Sequence, residues 1–206
     1  MPDTAFGSAA EAADALDVSL DRLAAVDWPS LGTAAHGEML VRLQRAQAKL
    51  TAVHAAVLSA FTAQSGYELD GHRSARAWLI NKAGMARGAA GAVVAWQKRL
   101  ARHGRIAAAM AAGGISESWA REIAGWTDQL PPDKRDEADE ILLDAAAGGL
   151  ALEDIAALAR KIDEAWQAQH PARTTATGTL AMRTGPGTGT CGSAPPWTGS
   201  GRWTGT

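Results

Sequence analysis

The stretch SARAWLINKAGMARGAAGAVVAWQKRLARHGR, residues 74–105, decides how the fold is read. The Ser74 hydroxyl can accept from a free amide of a first helical turn, and Gly84 can enter the left-handed region that closes a helix. The spacing predicts one helix over about 74–83 and a second from about Ala86 to Gly104. Two helices joined by a short glycine turn make a helix-turn-helix-like pair. At about 100° per residue, Ala89, Val93, Trp96 and Leu100 form one stripe of the second helix, and Arg87, Lys98, Arg102 and Arg105 lie opposite, with Arg99 at the edge. An apolar side turned inward and a basic side turned outward suit a helix that contacts phosphate. A packing pair whose basic face is solvated, or answers acidic flanks, accounts for the same pattern. Gly88 and Gly91 also weaken the helix by roughly 1 kcal/mol each relative to alanine.

No acidic residue lies between Asp70 and Glu117, while Arg73, Arg76, Lys82, Arg87, Lys98, Arg99, Arg102 and Arg105 supply 8 of the 20 Lys plus Arg. The net charge of -2 conceals this, since 9 acids stand against 4 bases up to Asp70 and 13 against 5 from Glu117 to Glu164. A local field of one sign attracts a polyanion. The 206 residues, 47% hydrophobic, suffice for one core with a tail. No run approaches a membrane span and the N-terminus lacks a signal-peptide pattern, so the cytoplasm is the expected compartment. Cys191 is the only cysteine, which excludes an intrachain disulfide. His36, His54, His72, His103 and His170 have no metal-ligand spacing, and no phosphate loop, GxGxxG or GxSxG occurs. Neither cofactor nor metal is expected, and no residue stands out as catalytic.

Outward from the basic pair the chain reads as helix after helix. Ser8 and Glu11 form a capping box ahead of Ala12, Leu16, Leu20 and Leu23, which run to Trp28-Pro29, with Asp14, Asp17 and Asp21 as a wet face. From about Thr33 to Ser65 runs the longest helix, in which Met39, Leu43, Ala46, Leu50, Val53, Val57 and Ala60 hold a and d positions over about three heptads. Packing into the protein's own core is the preferred meaning of that stripe, and self-association the rival. Gly66 ends this helix and GYELDGHR connects to the basic pair, Asp70-Gly71 being a turn and His72 and Arg73 its plain continuation. A short helix over 106–112 closes at Gly113-Gly114. Ser116 caps the next, with Trp119, Ile123 and Trp126 inward. Pro131-Pro132 opens another, with Ala138, Ile141, Leu142 and Ala145 inward and Asp136, Glu137, Asp139, Glu140 and Asp144 as solvated acids. A last helix, about Leu152 to Gln169, turns Ile155, Leu158, Ile162 and Trp166 inward. A carboxylate-based enzyme would have to use a pair such as Glu137 and Asp139, and nothing in the sequence places them in a cleft.

The runs GYELDGHRSARAWL, GMARGAAGAVVAWQKRLARHGRIAAAMAAGGISESWAREIAGWTDQLP and DEADEILLDAAAGGLALEDIAALA resemble the helical domain of unknown function 222, the 13E12 repeat family, over roughly 16–169. The resemblance implies a helical domain of the kind that commonly precedes an HNH endonuclease domain. This chain has no counterpart to a His-Asn-His core, so the implied nuclease chemistry cannot rest on these residues.

After His170 the composition turns to Thr and Gly, too poor in aliphatic residues to order itself. The pairs Trp197-Thr198 and Trp203-Thr204, read from the third base of the single tryptophan codon, each give an obligatory aspartate, and the shifted frame resembles an acidic linker. The expectation is therefore an all-α helical domain of about eight helices over 1–170, and a disordered, out-of-frame tail over 171–206 that ends before any nuclease. The expected function is nucleic-acid association through phosphate contacts of Arg73, Arg76, Arg87, Lys98, Arg99, Arg102 and Arg105, with DNA as partner. A helical interaction module that pairs copies through the stripe from Met39 to Ala60 is the competing expectation.

Overall fold

The computed structural model describes residues 8–169; the Thr- and Gly-rich tail with Cys191 lies outside the described residues. The helices in order are α1 (Ala9–Ala24), a 3-10 turn (Trp28–Ser30), α2 (Thr33–Ala63), α3 (Gly66–Leu69), α4 (Ala75–Asn81), α5 (Arg87–Leu100), α6 (Gly104–Ala112), α7 (Glu117–Thr127), α8 (Pro132–Ala147) and α9 (Leu152–Gln169). The chain divides into Met1–Trp166 and Gln167–Thr206, and the packing that follows is that of the first. The fold is all-α, with nine α-helices among the described residues rather than eight. The additional one, α3, is a single turn inside the expected connector.

The local signals act as their chemistry dictates. Ser8 and Glu11 each donate a backbone N–H to the other's side-chain oxygen at 3.2 Å, Ser74 Oγ accepts from Ala77 N at 3.2 Å, and Ser116 Oγ accepts from Trp119 N at 3.3 Å. Gly84 takes φ 65, as the helix-closing turn requires. Gly66 plays a different part from the expected one. Ser65 adopts the left-handed φ of 51 at the end of α2, and a Cβ on Gly66 would meet the Phe61 ring at 2.5 Å, so glycine is needed there for close approach.

Two clusters hold the helices together. The larger joins Ala52 and Ala55 of α2, Trp96 and Leu100 of α5, Ile106 and Met110 of α6, Ile123 of α7, Leu142 of α8 and Ile155 of α9. The smaller joins Leu58, Ala75, Leu79 and Ala90, with Phe61, Tyr67 and Trp78 against them. Each fully buried Ile, Leu or Met contributes about 1.5–3 kcal/mol.

The long helix is turned the other way from the preferred sequence reading. The residues of α2 that bury are Ala48, Ala52, Ala55 and Leu58, and the three alanines let other helices approach closely. The heptad stripe lies on the opposite side, with Leu50 51% exposed, Val53 56% and Val57 62%. Hydrophobic periodicity located an apolar stripe correctly but could not say which of two stripes meets the core, because alanine carries almost no weight in such a pattern. The α1 helix likewise buries no residue, and Leu16 and Leu20 stand exposed beside the acids.

Candidate functional site

The helix carrying the basic run is shorter than the sequence predicts. It ends at Leu100; Ala101–His103 form a turn, and Gly104 starts α6 instead of stopping α5. Arg87 and Lys98 therefore share α5, while Arg102 lies in the turn and Arg105 on the next helix, so no single basic face exists. The buried side of α5 is Ala90, Trp96, Gln97 and Leu100, with Val93 and Val94 partly buried and Ala89 exposed.

The acidic flanks claim part of the positive charge. Asp128, which follows α7, receives Arg99 Nε at 2.6 Å and Arg102 Nη2 at 3.1 Å, and Arg105 Nη1 reaches Glu140 at 3.1 Å. Lys82 lies 3.3 Å from Asp70, whose other oxygen accepts from Trp78 Nε1 at 2.6 Å. The hydrogen bond from Trp78 first, then that from Lys82, holds the Asp70 carboxyl below its ordinary value. Arg73, Arg76, Arg87 and Lys98 are exposed and take part in no ion pair among the described residues. Arg76 Nη2 donates to the Arg87 carbonyl at 3.1 Å, which brings one guanidinium to the first turn of α5. Of the seven expected phosphate ligands, four thus keep an unpaired cation and three are already answered by carboxylates.

The turn after α5 exists to hold a histidine that the sequence did not single out. His103 is fully buried, with Nδ1 2.8 Å from Asp139 Oδ2 and Nε2 3.0 Å from Asp128 Oδ1. Each ring nitrogen faces a carboxylate oxygen, so the imidazole bridges Asp128 and Asp139. The Thr127 hydroxyl donates to Asp139 Oδ1 at 2.6 Å, and Arg135 Nη2 donates to the carbonyls of Asp128 at 3.2 Å and Leu130 at 2.9 Å. Asp139, expected to be a solvated acid, is fully buried. A His–Asp pair with no exposure can reach no substrate. What it can do is lock the α5–α6 corner against α7 and α8.

Partial burial pushes the Asp128 carboxyl up, but the hydrogen bonds from His103 and Arg99 and the charges of Arg99 and Arg102 outweigh it and hold the group below its ordinary 3.8. A carboxylate lowered in the folded state binds fewer protons folded than unfolded. Its stabilisation is therefore complete above 3.8 and is lost as pH falls through the lowered folded value. Asp128→Asn is expected to lower stability at pH 7 and to flatten the loss of stability below pH 3.8, read from urea midpoints across an acid series. An unchanged acid slope in the variant would contradict this account.

Among the described residues no group of three or more His, Cys, Asp or Glu is arranged to hold a metal ion, and no helix is long and apolar enough to cross a membrane. Open clefts lie between α7 and α9, lined by Trp126, Gln129 and Ala159, and along α2. One is lined by Trp28, His36, Met39, Leu40 and Leu43, another by Leu40, Val41, Arg45 and the glycine turn before Ile115. The outer stripe of α2 is apolar and open, with Leu43, Leu50, Val53 and Val57 all exposed, and Leu16 and Leu20 of α1 are exposed as well. Compared with known proteins, the chain matches no family profile, no curated protein and no solved structure.

Proposed function

We propose that this chain is a helical assembly module without chemistry of its own, of the kind the resemblance to the domain of unknown function 222 places ahead of an HNH endonuclease domain, and that it pairs with another protein through the outer stripe of α2. The observation that carries this reading is the exposure of Leu43, Leu50, Val53 and Val57 on a 31-residue helix whose other side is already packed. Single exposed leucines need no explanation, whereas a continuous apolar patch marks an interaction surface. The stripe also keeps the 3-4 spacing that knobs-into-holes packing uses. Light scattering on the full chain is expected to give a mass above the 21.3 kDa of one copy, reverting to that of one copy in Leu50→Asp with the helical circular dichroism retained. A wild-type mass of one copy at 100 µM would remove self-pairing.

Nucleic-acid contact remains the second reading, supported by Arg73, Arg76, Arg87 and Lys98, which stand in a run without acids and pair with none. With about four phosphates neutralised, log affinity should fall against log salt with a slope near -3.6 on duplex DNA. A mobility shift that is absent at low salt, or that Arg87→Ala with Lys98→Ala leaves unweakened, would sink this reading without touching the first.

A further inference from the structure

We infer that Asp128 and Glu140 are internal competitors for a polyanion: their carboxylates hold Arg102 and Arg105 as two further phosphates of a nucleic acid would, and so limit that surface to the cations left open. The inference rests on the nucleic-acid reading above and adds its regulation.

The two masked cations continue the open ones. Arg87 and Lys98 stand exposed on α5. The backbone keeps its right-handed turn through Ala101, with Arg102 N donating to the Arg99 carbonyl at 2.9 Å, so Arg102 follows Lys98 by about one turn. Arg105 comes three residues later, in the first turn of α6. Both meet carboxylates from the acidic third of the chain: Arg102 Nη2 lies 3.1 Å from Asp128 Oδ1, and Arg105 Nη1 lies 3.1 Å from Glu140 Oε1. A carboxylate oxygen and a phosphate oxygen make the same demand on a guanidinium, a charge-assisted hydrogen bond. A phosphate arriving at either arginine must therefore displace a carboxylate and then stand beside it, like charge against like.

The three arginines held by carboxylates differ in what their loss leaves behind, and that separates the masked ligands from the structural one. Arg105 and Glu140 are both half-exposed, so water replaces either partner when they part. Arg102 is half-exposed too, and it shares Asp128 Oδ1 with His103 Nε2, 3.0 Å away. Once Arg102 leaves, the imidazole still answers that oxygen. Arg99 is placed otherwise. Its Nε and Nη2 both go to Asp128 Oδ2, which has no other donor among the described residues. Taking Arg99 away would leave that oxygen unanswered in a carboxylate only 19% exposed. Arg102 and Arg105 are thus the exchangeable pair, and Arg99 stays with the fold.

Mobility shifts of a mixed-sequence DNA duplex by the full chain, run across a salt series, test the mask. Each unmasked arginine is expected to add one phosphate contact and to steepen log affinity against log salt by about 0.9. Going from four contacts to five in Glu140→Gln, the affinity lost between about 50 and 200 mM salt should grow from roughly 150-fold to roughly 500-fold. Asp128→Asn is expected to steepen the slope likewise, through Arg102. Each gain should vanish when the arginine is removed as well, in Glu140→Gln with Arg105→Ala and in Asp128→Asn with Arg102→Ala, measured against the arginine variant alone. Simple repulsion between an acid and DNA would survive that removal. Asp128 also braces the fold, so the Glu140 variants decide alone if Asp128→Asn is unfolded by circular dichroism. A slope in Glu140→Gln equal to that of the wild type, or a gain kept in the Arg105→Ala background, overturns the mask and leaves the nucleic-acid reading standing. Wild type and Glu140→Gln both failing to shift the duplex at low salt overturns the two together.

Discussion

Replacing His103 by alanine is expected to destabilise the fold by about 3–5 kcal/mol, the usual cost of removing one partner from a buried ionic group. Asp139 has no exposure, and its two oxygens are turned to His103 and Thr127. Without the imidazole it retains one hydroxyl donor, and its other oxygen is left buried without a partner. Against a total stability of about 5–15 kcal/mol, that loss lowers the urea midpoint severely. The exposed pair of Arg105 and Glu140 offers the contrast, since Arg105→Ala should change stability by only about 0–1 kcal/mol. His103→Leu with Asp139→Leu is expected to recover most of what either single change loses, because removing both partners leaves neither buried without the other. Equal, additive costs for the two single changes would mean that the histidine and the aspartate act independently.

That network was not legible in the sequence for a definite reason. Asp139 sits among Asp136, Glu137 and Glu140, and composition alone makes it one more solvated acid. Only its register on α8, one residue after buried Ala138 and three before buried Leu142, sets it inward. A partner 36 residues away cannot be found without the tertiary contact. Boundaries set by local chemistry were legible: the Ser8, Ser74 and Ser116 caps, the Gly84 turn and the Pro131-Pro132 start all act within a single turn of helix. The acid, base, acid order of the chain was legible as well, and so was the warning it contained. Asp128 and Glu140, from the acidic third, take up Arg99, Arg102 and Arg105 from the basic one.

Ala52→Glu and Val53→Glu, one residue apart on α2, are expected to behave in opposite ways. Ala52 belongs to the main cluster and is 9% exposed; a glutamate there must bury a carboxylate or push the neighbouring helices apart. The effective penalty for an unpaired buried ion is several kcal/mol, comparable with the whole stability of the domain, so this variant should be largely unfolded. Val53 is 56% exposed, and glutamate there loses no packing within one copy and gains in helix propensity, so its own unfolding should shift by no more than about 0.5 kcal/mol. What Val53→Glu should lose is association, because it sets a charge in the middle of the exposed stripe through which the chain is proposed to pair. Urea unfolding at low concentration separates the intrinsic effect from the dimer's contribution, which grows with protein concentration. Hydropathy alone forecasts the reverse, a valine at a heptad position being the core residue and an alanine the surface one. An unfolded Val53→Glu beside a folded Ala52→Glu would mean that α2 presents its leucine and valine side to its own core after all, and with that the open stripe would be gone.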